Sequence, residues 1–196
     1  MASRLILLRH GETGANGRYF GATDIPLAQQ GREQIVCLAP RVQKMGVDAV
    51  WVSPRRRCRE TLDLLALPHR FQLEDDLREV DFGQWEGLTF SEMVKRDPLL
   101  VDQWARGDTG FTFPGGDSLV AFNQRIAQVA ERLCDCDAET ILLVSHGGVI
   151  RGLICQLLGL SLNQSLLFQQ ASGRYAVLDI HDGRGVLVGF NRGGAC

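Results

Sequence analysis

Short apolar runs alternate with longer amphipathic stretches along the chain. The runs at residues 4–8, 49–52 ("AVWV"), 141–145 ("ILLVS"), 174–180 ("RYAVLDI") and 186–190 ("VLVGF") have the length of strands. Between them the apolar positions recur at helical spacing. Residues 27–45 place Ile35, Leu38, Ala39 and Val42 on one face. Residues 117–134 do so with Phe122, Ile126, Val129, Ala130 and Leu133, and residues 148–159 with Val149, Leu153, Leu157 and Leu158. Strand followed by helix, repeated, predicts a layered α/β fold on a largely parallel sheet. The last two strands are joined by "HDGRG", a hairpin signal, because Asp-Gly accepts the positive φ of tight turns. Ala28 stands where the first helix wants a Ser or Thr cap.

Three of the strands run directly into polar chemistry. "LILLRHGET" ends its apolar run on Arg9, His10 and Gly11. "AVWVSPRRRCRET" passes through Ser53-Pro54 into a helix, with Pro54 expected in its first turn. There Cys58, Thr61, Leu62 and Leu65 form the buried stripe, so Arg57, one residue before it, leans over the strand end. Arg55, Arg56 and Arg59 are expected on the solvated face, and Arg56 is four residues from a partner in Glu60. "ILLVSHGGVIRG" leads through Ser145 and His146 to two glycines at a helix start, which favours close backbone approach and an anion. Such strand ends converge in an open α/β sheet. Arg9, His10, Arg57 and His146 together would make a receptor for a tetrahedral dianion.

Composition narrows the possibilities. The 196 residues are 45% hydrophobic and 22% charged, enough for one substantial core, so residues 1–196 are expected to form a single domain. A net charge of −2 and a pI near 6.1 provide no footprint for nucleic acid, so any anion site must be local. The apolar run near Arg4 and Arg9 is too short for a signal core or a membrane span, which predicts a cytoplasmic protein with no membrane partner. The six cysteines show no CxxC pair. Most lie among apolar residues and read as buried hydrophobes in a reducing compartment, with Cys196 an exposed thiol. His69 after Pro68 and His181 at the hairpin tip read as solvated.

"LLRHGET" resembles the signature of the histidine phosphatase superfamily, the phosphoglycerate-mutase-like branch. "SPRRRCRET", "LREVDFGQWEG" and "VSHGG" follow in that family's order, over residues 5–148. The resemblance implies a three-layer α/β/α sandwich on a mostly parallel sheet and catalysis with no cofactor and no metal. It makes His10 a nucleophile that is transiently phosphorylated, with Arg9, Arg57, His146 and Asn16 binding the phosphate of a small-molecule ester and Glu79 donating the proton. Cys58 stands where the family usually has Ala, a small change expected to affect packing alone. The rival metallohydrolase reading, built on His10, His146 and acidic residues, finds no HxxxH or other tightly spaced ligand pair. An inactive binding member of the same fold is the other alternative, although every matched catalytic position is filled.

Phosphoglycerate mutases carry a longer insertion after the "EG" segment, with paired arginines for the substrate carboxylate. Here Gly87 is followed by a short stretch in which Arg106 precedes Gly107, so the pair is absent and water should reach the phosphohistidine. "YFGATDIPL" and "FPGGDS" resemble the alpha-ribazole phosphatase branch, which acts in cobalamin biosynthesis. Tyr19, Phe20, Trp85, Phe111 and Phe113 are the aromatics available to stack on its benzimidazole base. Phosphatase action on alpha-ribazole 5′-phosphate is therefore expected, with a broad-specificity phosphatase or a mutase as alternatives.

Overall fold

A computed structural model describes residues 2–68 and 70–193; His69 and Cys196, for which the sequence makes expectations, lie outside the described residues. Six strands form one sheet: β1 (Arg4–Arg9), β2 (Ala49–Val52), β3 (Phe71–Leu73), β4 (Thr140–Ser145), β5 (Tyr175–His181) and β6 (Arg184–Arg192). Their order is β3-β2-β4-β1-β5-β6. The pairs β2–β3, β2–β4 and β1–β4 are parallel, while β5 runs antiparallel to both β1 and β6. The sheet is mixed, parallel through its chemical half and antiparallel at one edge.

The four apolar residues of β1 show why its sequence does not alternate. Leu5 and Leu7 enter one core with Ile126, Val129, Leu133 and Val149, whereas Ile6 and Leu8 enter a second with Ile35, Val42, Leu62 and Leu65. Both faces are covered, so every position must be apolar. The helices divide accordingly. On one side lie α1 (Gln29–Val42) and α2 (Arg56–Leu65); on the other lie α5 (Leu119–Asp135) and α6 (Gly147–Leu158), giving the three-layer α/β/α sandwich.

Local chemistry explains the element ends. Ala28 does cap α1 without a side-chain hydrogen bond, whereas Ser118 Oγ accepts from the amides of Val120 and Ala121 at the start of α5. At the β5–β6 turn, Asp182 and Gly183 both take positive φ, 49° and 76°, as a two-residue hairpin requires. Two expectations are corrected. Pro54 lies outside α2, which starts at Arg56 behind an extended Arg55. Not every cysteine is a free thiol: Cys37 is half-buried and disulfide-bonded.

The segment between Gly87 and Pro114 holds two short helices absent from the periodicity reading, α3 (Phe90–Arg96) and α4 (Pro98–Ala105). A capping box starts α3: Thr89 Oγ1 accepts from the Glu92 amide, and the Glu92 carboxylate accepts from the Thr89 amide. Beneath these helices Trp85, Phe111 and Phe113 are almost fully buried in contact with one another, and Trp85 Nε1 donates to Asp97. Among the described residues no helix is long and apolar enough to cross a membrane.

Candidate active site

The carboxyl ends of β1, β2 and β4 meet at one cavity of about 480 Å³. Arg9, His10, Arg57, Glu79, Gly147, Gly148 and Arg151 line it, with Tyr19, Phe20 and Phe82 among the residues on its wall. The convergence follows from sheet order: β4 lies between β1 and β2, so residues distant in sequence become neighbours at one sheet end.

His10 is 6% exposed, and its Nδ1 lies 2.8 Å from the carbonyl of Gly11. A carbonyl can only accept, so Nδ1 carries the proton and Nε2 keeps its lone pair. Burial, reinforced by the charges of Arg9 and Arg57, holds the imidazole well below its usual pKa of 6.5, which keeps it neutral. His146 is fully buried, its ring centroid 5.3 Å from that of His10. Arg57 Nε donates to its Nδ1 at 3.2 Å, so its Nε2 is the protonated nitrogen and donates to Ser53 Oγ at 2.8 Å. Burial and the neighbouring Arg57 also keep His146 neutral. Both of its ring nitrogens are thus engaged by protein, and to meet a phosphate it must exchange one of these partners.

The arginines differ in how much of each guanidinium is free. Arg57 is 1% exposed, and besides His146 it donates to the carbonyls of Phe20, Gly21 and Thr23, leaving one of its five N–H groups. It fastens the 20–23 loop over the sheet end. Arg9 donates from Nη1 to the Gln170 carbonyl at 2.7 Å, and its buried Nε has no partner. Arg56 and Arg59 are exposed, with Arg56 paired to Glu60 at 2.7 Å, as their spacing suggested. Arg55 departs from the expected solvated face: it is half-buried and its Nε is also unpartnered.

Glu79 reaches the cavity from the segment after β3. Its Oε2 accepts from the Gly148 amide at 2.9 Å and its Oε1 from its neighbour Val80 at 3.2 Å. A Cβ on Gly148 would lie 2.4 Å from Glu79 Oε1, so the second glycine of "SHGG" is what admits this carboxylate. Asn16 is the candidate not brought to the others. It is exposed in the loop after the signature at φ 50°, and Thr13, Ala15 and Gly17 line the cavity around it.

Cys58 packs its Sγ 3.5 Å from His146 Nε2, and burial pushes its pKa up to about 12, so it remains a thiol. No group of three or more His, Cys, Asp or Glu among the described residues is placed to hold a metal ion.

A second cavity of about 110 Å³ adjoins the first, sharing Tyr19, Glu79, Phe82, Gly148 and Arg151 with it. Trp104, Phe113 and Phe122 make it apolar, while Asn123, Asn163 and Ser165 lie among its polar positions. Of the aromatics considered from sequence, Tyr19 and Phe20 reach the larger cavity and Tyr19 and Phe113 the smaller; Trp85 and Phe111 line neither and serve the core. Sequence reasoning missed Phe82, Trp104 and Arg151. The signal for Arg151 was present, since it is the lone charged residue in "GGVIRGLICQLLGL".

A buried neutral histidine pair flanked by guanidiniums at the carboxyl ends of parallel strands is the setting of a phosphoryl-transfer enzyme. Residues 5–193 match the histidine phosphatase superfamily (branch 1), and the chain belongs to that family. It is a phosphatase of that superfamily. It is 29% identical over 193 residues to phosphoserine phosphatase 1 of Hydrogenobacter thermophilus, covering 96% of this chain and 92% of that protein. It is 32% identical over 184 residues to the adenosylcobalamin/alpha-ribazole phosphatase of Escherichia coli, covering 91% and 90%. The crystal structure of a putative alpha-ribazole-5′-P phosphatase from Escherichia coli superposes with a TM-score of 0.89 at 29% identity, covering 98% of this chain and 97% of that one.

Proposed function

We propose that this phosphatase hydrolyses a small-molecule phosphomonoester through a phosphohistidine at His10, without a metal. The observation that carries the reading is the His10 ring: buried, neutral, its Nδ1 held by the Gly11 carbonyl, its Nε2 lone pair unclaimed by protein. That lone pair attacks phosphorus in line with the ester oxygen. Arg9 supplies most of the free N–H groups for the equatorial oxygens, Arg57 supplies one, and the start of α6 adds its dipole. His146 orients Arg57 and, on exchanging its Ser53 bond, donates to the phosphoryl group. Asn16 joins only if its loop turns inward. Glu79 in its acid form protonates the leaving alcohol; as carboxylate it then takes a proton from the water that cleaves phosphohistidine.

The smaller cavity receives the alcohol portion, and its aromatic walls favour alpha-ribazole 5′-phosphate over a compact sugar phosphate. The absence of a paired arginine at Arg106-Gly107 speaks for hydrolysis over mutase action. The whole chain is proposed to act as one domain in the cytoplasm. Rapid quenching with labelled substrate should trap an acid-labile, alkali-stable phosphoenzyme that His10→Ala cannot form, and exhaustive chelation should leave turnover unchanged. A fully active His10→Ala enzyme, or activity lost to a chelator and restored by a divalent ion, would overturn the mechanism. Comparing kcat/KM for alpha-ribazole 5′-phosphate, 3-phosphoglycerate and a simple sugar phosphate tests the substrate, with roughly tenfold preference expected for the first.

A further inference from the structure

We propose that Arg151 is a specificity-determining residue that reads an oxygen acceptor on the alcohol part of the substrate, close to the scissile ester; this rests on the phosphatase reading above. Arg151 stands in the first turns of α6, just past the two glycines at the cavity, and lines both cavities at their shared border. Glu79 lines the same border. The leaving oxygen must lie near Glu79 if that residue is to protonate it, so the atoms one to three bonds beyond it pass Arg151.

The guanidinium of Arg151 is conspicuously unused. Its Nε is buried without a hydrogen-bond partner, and among the described residues the side chain forms no ion pair. Arg125, half-buried on the neighbouring α5, shows how this fold treats an arginine with a structural task. It donates to the carbonyls of Asp76 and Arg78 at 2.7 and 2.6 Å, lies 3.8 Å from Asp117 and covers the ring of Phe122. Nothing comparable holds Arg151. Arg9 and Arg151 both line the larger cavity, so two cations face one space. A permanently charged, planar donor left unpaired beside a leaving-group cavity suits a substrate that brings its own acceptor. The phosphate satisfies Arg9; the acceptor on the alcohol satisfies Arg151.

A carboxylate near the ester, as in O-phosphoserine, and the ring and hydroxyl oxygens of a pentose 5-phosphate both present that chemistry. The experiment compares kcat/KM for O-phosphoserine, ribose 5-phosphate and n-propyl phosphate, which lacks any acceptor, in wild type, Arg151→Met and Arg151→Lys. In Arg151→Met the ratio of an acceptor-bearing ester to propyl phosphate should fall by roughly tenfold or more, carried mainly by KM. Arg151→Lys should recover part of it and gives an independent reading should the methionine variant unfold in a thermal melt. A loss confined to O-phosphoserine supports an anion receptor, and one confined to ribose 5-phosphate supports a sugar receptor. Equal losses on all three esters, or no loss on any, would overturn the role of Arg151. Failure of wild type to form a phosphoenzyme with propyl phosphate would instead overturn the underlying reaction.

Discussion

At Gly148 the backbone and the Glu79 carboxylate come so close that no side chain fits between them, which makes one glycine hydrogen the gauge of the acid–base geometry. Gly148→Ala would put a methyl 2.4 Å from Glu79 Oε1 and force the carboxylate away from the leaving oxygen. Its kcat should drop by about a hundredfold, the scale for a displacement near 1 Å, with the fold intact by circular dichroism. Glu79→Gln keeps the shape and removes the transferable proton. Single-turnover phosphoenzyme formation from an alkyl phosphate should then fall by about 10²- to 10⁴-fold, while an activated phenyl phosphate should suffer far less. Equal losses for both esters would remove Glu79 from the acid role. At this scale the sequence was informative wherever a residue's position is set by a strand end, as for His10, Arg57 and His146, which meet at one cavity. It marked Arg151 as the lone charge of an apolar helix but not its distinguishing property, an Nε without a partner, which only the folded chain defines. It also gave no means to separate Trp85 and Phe111, which fill the core, from Phe82 and Trp104, which wall the cavities.

Helices and strands were readable in proportion to the length of their buried face. The α5 pattern of Phe122, Ile126, Val129, Ala130 and Leu133 is all inside, and the element runs within two residues of its expected bounds. By contrast α3 and α4 bury one residue each, Met93 and Val101, too few to mark a period. The three residues of β3 are all exposed, so nothing in their polarity announces a strand. What fixes the start of α3 is its cap, Thr89 with Glu92, which a reading by periodicity passes over. Loss of that cap by Thr89→Ala should cost about 1 kcal/mol, and Ser118→Ala about the same at α5, measured by urea denaturation. Because α4 contributes Trp104 to the alcohol cavity just beyond α3, Thr89→Ala should also raise KM more than it lowers kcat. Ser118→Ala loosens the start of α5, whose Leu119, Phe122 and Asn123 line the same cavity, so it should raise KM as well.

For the molecule as a whole, the two site histidines impose a pH dependence on stability. Their folded pKa values lie well below 6.5, so below about pH 6.5 the unfolded chain takes up protons that the folded chain refuses. The stability they provide is complete above that pH and is lost as pH falls toward the depressed folded values. Each histidine contributes a slope of up to about 1.4 kcal/mol per pH unit within this window. Melting temperature followed from pH 8 to pH 5 should decline, and His10→Asn or His146→Asn should each remove part of the slope. A slope unchanged in both variants would mean that other groups set it.

The central place of β1 in the sheet has a consequence for how the protein is made. Of this sheet's six strands β1 leaves the ribosome first, and it hydrogen-bonds to β4, whose register starts at Thr140, and to β5, which ends at His181. Arg9 and His10 therefore wait at the end of an unpaired apolar strand while most of the chain is synthesised. Closing contacts of such long sequence separation is slow and leaves sticky strand edges uncovered in the interval. A nascent chain halted before β4 has its signature motif in full and no pocket around it. The enzyme acquires its chemistry only once β4 has been made, and a chaperone that shields residues 5–8 until then should raise the yield of active protein.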